Sequence, residues 1–302
     1  MGAPTTISLV ESRRWQEYDL VDSGHGLKLE RFGPYMLVRP EAQATWSPAL
    51  PNSQWSQANA TFRSTGEESG GHWDFRAKVA SKWEMSYRLQ SSAGKKLRFW
   101  IMTTPGRHLG LFPEAAAQWD FIVDALQGAH QEPKVLNLFG YTGLASLASA
   151  AAGASVTHVD ASKKAVNWAR ENQELSRLTD RPIRWIVDDA LKFAQREVRR
   201  GSHYDGIIIE PPKFGRGPKG EVWEVYKSLP RLMQACRQLL SPQAIFVGLT
   251  LYAVRASAVH LAQTLGEVTA ASGGSMESGE LVTREKSEGR LISQAVFARW
   301  RR

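Results

Sequence analysis

Val135-Leu-Asn-Leu-Phe-Gly-Tyr-Thr-Gly143 is the stretch whose reading decides the fold. An apolar run with strand character passes into a turn carrying Gly140 and Gly143. An Ala-rich helical stretch follows at 143–152. A glycine turn between a strand and a helix lets the backbone come close to a bound cofactor at the carboxyl end of the strand. By itself the pattern is also that of a simple tight turn.

Working outward, strand and helix patterns alternate without a break from Lys134. Strands are predicted at 134–138, 155–159, 183–187, 204–210 and 243–249. Helices are predicted at 143–152, 162–176, 189–199, 222–240 and 255–266, with a further helix at 113–127 that has Pro113 in its first turn. Such alternation implies a parallel sheet with helices on both faces. At the end, 276–283 and 291–299 read as two strands joined by Glu285-Lys-Ser-Glu-Gly289, with no helix between them. The last strand is therefore expected to run antiparallel.

The first 110 residues differ in composition. They are rich in Gly, Pro and Ser, and contain Trp15, Trp46, Trp55, Trp73, Trp83 and Trp100 of the 11 tryptophans. Alternating residues Trp83, Met85, Tyr87 and Leu89, a turn at Ser91–Gly94 and a return from Leu97 to Met102 predict a hairpin. Leu27 to Phe32 and Tyr35 to Val38 form a second pair around Gly33-Pro34. From Pro40 to Gly71 the periodicity lapses, which predicts a long loop. The expected organisation is a small, mainly β module at 1–110 and an α/β domain at 111–302, with a short linker at 128–133 between the first helix of the latter and its alternating strands and helices.

Composition narrows the function. With 302 residues, 42% hydrophobic and 23% charged, the chain is an ordinary globular protein, and its net charge of +8 is compatible with a polyanionic partner. The single Cys236 excludes an internal disulfide framework and a Cys-rich zinc site. No two of the seven histidines have i, i+4 ligand spacing, so no metal is expected. No apolar run is long enough to cross a bilayer, no secretory leader is read, and the match of Met1–Thr6 to a myristoylation pattern is taken as chance.

Three acidic positions carry the chemistry. Asp160 ends the second strand of the alternation, where a carboxylate can accept from both ribose hydroxyls of a nucleoside; with Ser162 it also fits a helix N-cap region. Asp188 and Asp189 follow the third strand. Asp189, opening the next helix with Ala190, is the better placed to accept from an adenine amino group, and it too suits a cap. Glu210-Pro-Pro-Lys-Phe214 follows the buried run Tyr204–Ile209. An acid and a carbonyl held still by Pro-Pro can accept hydrogen bonds from a group lying beside a cofactor. Phe214 either stacks on a base or packs under the basic loop Gly215-Arg-Gly-Pro-Lys-Gly220, which has the composition of a flexible lid or a plain surface loop. In this order these pieces predict methyl transfer from S-adenosylmethionine.

At these residues the chain resembles a family. Asn137–Gly143, Val159-Asp-Ala-Ser-Lys163, Trp168-Ala-Arg-Glu-Asn172, Asp189 and Glu210–Phe214 are similar to bacterial class I S-adenosylmethionine-dependent methyltransferases related to those acting on 23S ribosomal RNA, the cytosine-C5 and guanine-N7 enzymes. Gly110-Leu-Phe-Pro-Glu114 resembles the segment that folds over the cofactor in that family. The resemblance covers roughly residues 105–300. It implies an α/β, Rossmann-like sheet of seven strands with an antiparallel last strand. It places Phe112, Asn137, Phe139, Gly140, Thr142, Gly143, Asp160, Ser162, Asp189 and Ala190 around S-adenosyl-L-methionine. The chain departs from the family at Glu210, where Asp is usual, at Ala115-Ala116 in place of Gln-Arg, and at Val247–Tyr252, which lacks the cysteine of the cytosine-C5 members. The first 110 residues do not resemble the RNA-binding module of those relatives.

The expectation is a cytoplasmic methyltransferase acting on RNA, ribosomal in particular, at a nitrogen and without a catalytic cysteine. Glu210, Pro211 and Lys213 are the expected catalytic group, and Phe214, Arg216 and Lys219 the substrate contacts. Competing readings are methylation of a small molecule or protein, a nucleic-acid-binding relative that has lost catalysis, and an NAD-dependent dehydrogenase. The Pro-Pro turn and final strand pair argue against the last.

Overall fold

The computed structural model describes residues 6–65, 70–90, 95–129 and 132–302. The turn expected at 91–94, residues 66–69 of the long loop, residues 130–131 of the linker and residues 1–5 of the myristoylation match lie outside the described residues.

The chain opens with β1 (Ser8–Glu11), then β2 (Tyr18–Gly24), β3 (Leu27–Phe32), β4 (Tyr35–Pro40), a one-turn helix α1 (Asn52–Trp55), β5 (Ala60–Ser64) and β6 (Gly71–Phe75). Strands β2 to β6 form a five-stranded sheet in chain order, with β2–β3, β3–β4 and β5–β6 antiparallel and β4–β5 parallel. The hairpin of β7 (Trp83–Arg88) and β8 (Lys96–Ile101) pairs as the alternation predicts. The stretch 40–71 is not the unbroken loop expected. It holds α1 and β5, and buried Asp22 anchors it by accepting from the Ala49 and Leu50 amides and the Trp55 indole. Side-chain anchoring of this kind leaves no periodicity in the sequence.

A 3₁₀ turn (Pro113–Ala115) leads into α2 (Ala116–Ala125). The alternation follows as β9 (Lys134–Leu138), α3 (Leu144–Ala151), β10 (Ser155–Asp160), α4 (Lys163–Leu175), β11 (Ile183–Val187), α5 (Ala190–Arg199) and β12 (Gly206–Ile209). A short ribbon of β13 (Phe214–Arg216) and β14 (Val222–Glu224) precedes α6 (Val225–Leu239), β15 (Phe246–Tyr252), α7 (Ala258–Thr269), β16 (Ser275–Arg284) and β17 (Leu291–Arg301). Every residue of α3 is buried, which explains its small side chains: the helix lies against the sheet with β8 and α2 on its other sides.

The large sheet has the order β11-β10-β9-β12-β15-β17-β16-β1. Its parallel strands turn outward in opposite directions from β9 and β12, and a ligand crevice forms at such a switch point, beyond the carboxyl ends of the strands. β17 runs antiparallel to both neighbours. The expected seven strands are joined by an eighth: β1 adds to the edge, parallel to β16. The ribbon β13–β14 occupies the stretch expected to be a flexible loop, and it moves the start of the next helix from 222 to Val225. Two large apolar clusters flank the sheet, and one runs continuously from Tyr18, Phe32 and Leu37 through the β7–β8 hairpin to α2 and α3.

Candidate active site

The turn after β9 is tightly specified. Phe139, Tyr141 and Gly143 have φ of 60°, 49° and 85°, so two side-chain-bearing residues sit in the left-handed region. Such conformations cost about 1–3 kcal/mol and persist where the surroundings impose them. At Gly140 a Cβ would fall 2.4 Å from His158 Cε1, so glycine is required by close packing rather than by φ. Below it, Asn137 donates to Ser146 Oγ at 2.9 Å, and Ser146 Oγ meets His158 Nδ1 at 3.0 Å. Burial lowers the His158 pKa to about 3, so the ring is neutral.

Asp160 locks this turn to the end of β10. Its Oδ2 accepts from the Tyr141 amide and its Oδ1 from the Ser162 amide, both at 2.8 Å. Each oxygen keeps a lone pair for a further donor. Burial raises its pKa, while the two backbone amides lower it. Ser162 caps α4 by accepting from Ala165, and Asp189 caps α5 by accepting from Lys192 at 2.8 Å. Asp188 accepts from the Asp189 amide and pairs with Arg196, which leaves Asp189 as the acid of the two on the cavity wall.

A strap from His108 to Glu114 closes over the turn. Gly110 has φ 88° and would clash with Trp168 at 2.2 Å if it carried a Cβ. Its carbonyl accepts from Thr142 Oγ1 at 2.7 Å. The Phe112 ring lies 5.8 Å from Tyr141, 5.0 Å from Tyr252 and 4.8 Å from His108. The Trp15 indole holds the Pro113 carbonyl and Ser12 Oγ holds that of Glu114.

Glu210 follows β12 and is half-buried as a residue, but its Oε1 is fully buried with no hydrogen-bond partner among the described residues. Burial, reinforced by the charge of buried Glu114, pushes its pKa up to about 7. Among the described residues the buried Tyr252 hydroxyl also lacks a partner, and burial raises its pKa far above the usual phenol range. Trp223 of β14 donates to the Pro212 carbonyl at 2.7 Å and packs on Phe139 at 4.7 Å, so the Pro-Pro turn is held from the ribbon side. Cys236 is buried within α6, where burial pushes its thiol up to about 12.

These elements enclose a cavity of about 730 Å³. Asn137, Phe139, Gly140, Thr142, Asp160 and Ser162 line it, as do Phe112, Asp189 and Ala190. Glu210, Pro211, Lys213 and Arg216 line it too. Gly143, Phe214 and Lys219 do not: Gly143 packs against Ala169 and Trp185, Phe214 is 53% exposed on β13, and the Lys219 amide binds Glu221. Sequence reasoning missed Lys28 of β3, Arg39 of β4 and Glu41 just after it, and Tyr252 and Gln294 from β15 and β17, all of which line the cavity. No short motif marks them; they come together through tertiary packing.

A mixed sheet with an antiparallel β17, a glycine turn after its central strand and an acid ending the next strand define the class I methyltransferase architecture. Residues 28–280 match the family S-adenosylmethionine-dependent methyltransferase, and the chain belongs to that family. It is 46% identical to a SAM-dependent methyltransferase of known structure from Agrobacterium tumefaciens, with a TM-score of 0.92, over 99% of this chain and 95% of that one. It is similar to ribosomal RNA large subunit methyltransferase K/L of Shewanella frigidimarina, 35% identical over 137 residues, which are 44% of this chain and 18% of that protein. The same-named protein of Aeromonas hydrophila is 26% identical over 235 residues, 74% of this chain and 32% of that protein. The chain thus spans a third or less of the length of these curated relatives. S-adenosylmethionine is the methyl donor of the family, and the site suits it: Gly110 of the strap and Gly140 of the turn line the cavity, and Asp160 is held by two amides with acceptor capacity to spare. Among the described residues, no group of three or more His, Cys, Asp or Glu could hold a metal ion, and no helix is long and apolar enough to cross a membrane.

Proposed function

We propose that this methyltransferase acts on RNA, ribosomal RNA in particular, and methylates a nitrogen with Glu210 as proton acceptor. The observation that carries the reading is the buried Glu210 Oε1, without a partner among the described residues, on a cavity that also takes in Asp160 and Asp189. The named rRNA methyltransferases among the relatives support an RNA substrate, as do the net charge of +8 and the basic residues Lys213, Arg216 and Lys219 on and around the ribbon.

In this reading, Asp160 accepts from ribose hydroxyls and Asp189 from the adenine amino group, while Phe112, Phe139, Gly140, Thr142 and Ser162 shape the rest of the cofactor site. When bound, the cofactor supplies an electrophilic methyl group on a sulfonium centre. Glu210 and the Pro211 carbonyl orient the acceptor nitrogen by accepting its N–H groups. Glu210 takes the proton that this nitrogen releases once it is alkylated. A base with a pKa near the working pH combines a sufficient ionised fraction with proton affinity. Carbon-5 of a pyrimidine would need a thiolate attack, and Cys236 is buried with its thiol held protonated. The first 110 residues then add Lys28, Arg39 and Glu41 to the acceptor side of the site, while residues 111–302 supply the cofactor side together with Glu210 and Pro211. Methyl incorporation from labelled S-adenosylmethionine into total RNA, protein and small-molecule extracts tests the reading. Label in RNA, released on digestion as an N-methylated nucleoside, is expected; label only in the other two pools, or on pyrimidine C5, overturns it.

A further inference from the structure

The wall of the cavity contributed by β3, β4 and β17 is polar in a way that fold stability does not require. Arg39 and Glu30 form a bidentate pair at 2.7 Å, both buried, and the Tyr18 hydroxyl donates to Glu30 at 2.9 Å. Above this layer, Lys28 Nζ lies 3.2 Å from Gln294 Oε1 and 3.4 Å from Glu41 Oε2, and Gln294 Nε2 donates to Glu41 Oε2 at 3.3 Å. Buried ion pairs add little net stability compared with apolar residues of the same size. Here Lys28, Glu41 and Gln294 are tied to one another on the cavity that Glu210 also lines.

We infer that Lys28, Glu41 and Gln294 form the specificity wall that reads the edge of the target nucleobase. The recorded bonds of Glu41 fall on Oε2, which leaves Oε1 as an acceptor, and the Gln294 amide retains a second N–H and a second lone pair. Acceptor, donor and acceptor side by side match a planar heterocycle with alternating N–H and C=O or ring-nitrogen groups. A phosphate is disfavoured beside the Glu41 carboxylate, which puts the backbone of the nucleic acid toward Lys213 and Arg216. This inference rests on the RNA reading above and gives the N-terminal sheet a role that no motif suggests.

The test uses four RNA hairpins that are identical except for one unpaired loop nucleotide, A, C, G or U. Their binding to the full chain is measured by fluorescence anisotropy with saturating S-adenosylhomocysteine, for wild type, Glu41→Gln and Gln294→Ala. S-adenosylhomocysteine affinity is measured by calorimetry for all three, with melting curves to verify folding. Wild type should prefer one hairpin by about tenfold or more, the size of a good base-edge contact. Both variants should narrow that preference to about threefold or less, with cofactor-product affinity changed by less than about twofold. Equal binding of all four hairpins by wild type, an undiminished preference in both folded variants, or an equal loss of S-adenosylhomocysteine affinity overturns the inference and leaves the RNA reading standing. Wild type that binds none of the hairpins removes both.

Discussion

Replacing Glu210 by glutamine should inactivate the enzyme and at the same time stabilise it. Burial and the Glu114 charge move the pKa of Glu210 from the ordinary 4.5 to about 7 in the folded protein. Between those values the folded chain keeps a proton that the unfolded chain has released. Stability therefore falls as pH rises from about 4.5 to about 7, and the whole penalty is present above the upper value. At about 1.4 kcal/mol per pH unit, ionising this carboxyl costs on the order of 3 kcal/mol of folding free energy. Glutamine has nearly the same shape and no charge to desolvate. Urea unfolding followed by tryptophan fluorescence at pH 5 and pH 8.5 gives the comparison. The variant should match wild type within about 1 kcal/mol at the lower pH and exceed it by about 3 kcal/mol at the higher. Methyl transfer by wild type should rise as pH passes through about 7, whereas Glu210→Gln should be slower by about a hundredfold or more at every pH. A variant less stable than wild type at pH 8.5, or two stability curves that fall in parallel, would refute the account of Glu210 as a buried carboxylate held ready to take a proton.

Four further outcomes follow from the site. Asp160→Ala should weaken S-adenosylmethionine binding by roughly ten- to a hundredfold in a protein that still melts cooperatively, read by calorimetry, since a charged acceptor is worth about 1.5–3 kcal/mol. Gly140→Ala should cost about 1–3 kcal/mol in urea unfolding, because the new methyl meets the His158 ring at 2.4 Å. Cys236→Ala should keep near-normal methyl transfer, and wild type should form no covalent adduct with RNA containing 5-fluorocytosine on a denaturing gel. The affinity for an RNA hairpin should fall as salt rises, and the slope against log salt should flatten in the Arg216→Ala/Lys219→Ala double variant.

The parts of the fold legible in the sequence are those set by local pattern. Strand and helix alternate from Lys134 in the order read, the hairpins at 27–38 and 83–102 pair, and β17 runs antiparallel. Within the site, Asn137, Gly140, Thr142, Asp160, Asp189 and Glu210 were visible because each lies at or shortly after the carboxyl end of a strand in the Rossmann-like pattern, and all line one cavity. Phe214 and Lys219 were carried by sequence proximity to the Pro-Pro turn. The β13–β14 pairing directs Trp223 inward and leaves Phe214 exposed, and proximity along the chain could not foresee that. Lys28, Glu41 and Gln294 were invisible for a different reason: 266 residues separate Lys28 from Gln294, and each alone reads as an ordinary strand or turn residue.

The placement of β1 has a consequence for biosynthesis. Ser8–Glu11 pairs with Gly279–Val282, and Glu11 also binds Arg284. The residues of β1 therefore leave the ribosome long before their partner strand exists. At about 5–20 residues per second, a wait of some tens of seconds separates the two. During that interval the unpaired backbone of residues 8–11 has no native sheet edge to join. Closing so long a loop is entropically unfavourable until the rest of the sheet has formed. Pairing of β1 therefore waits at least until β16 has been made.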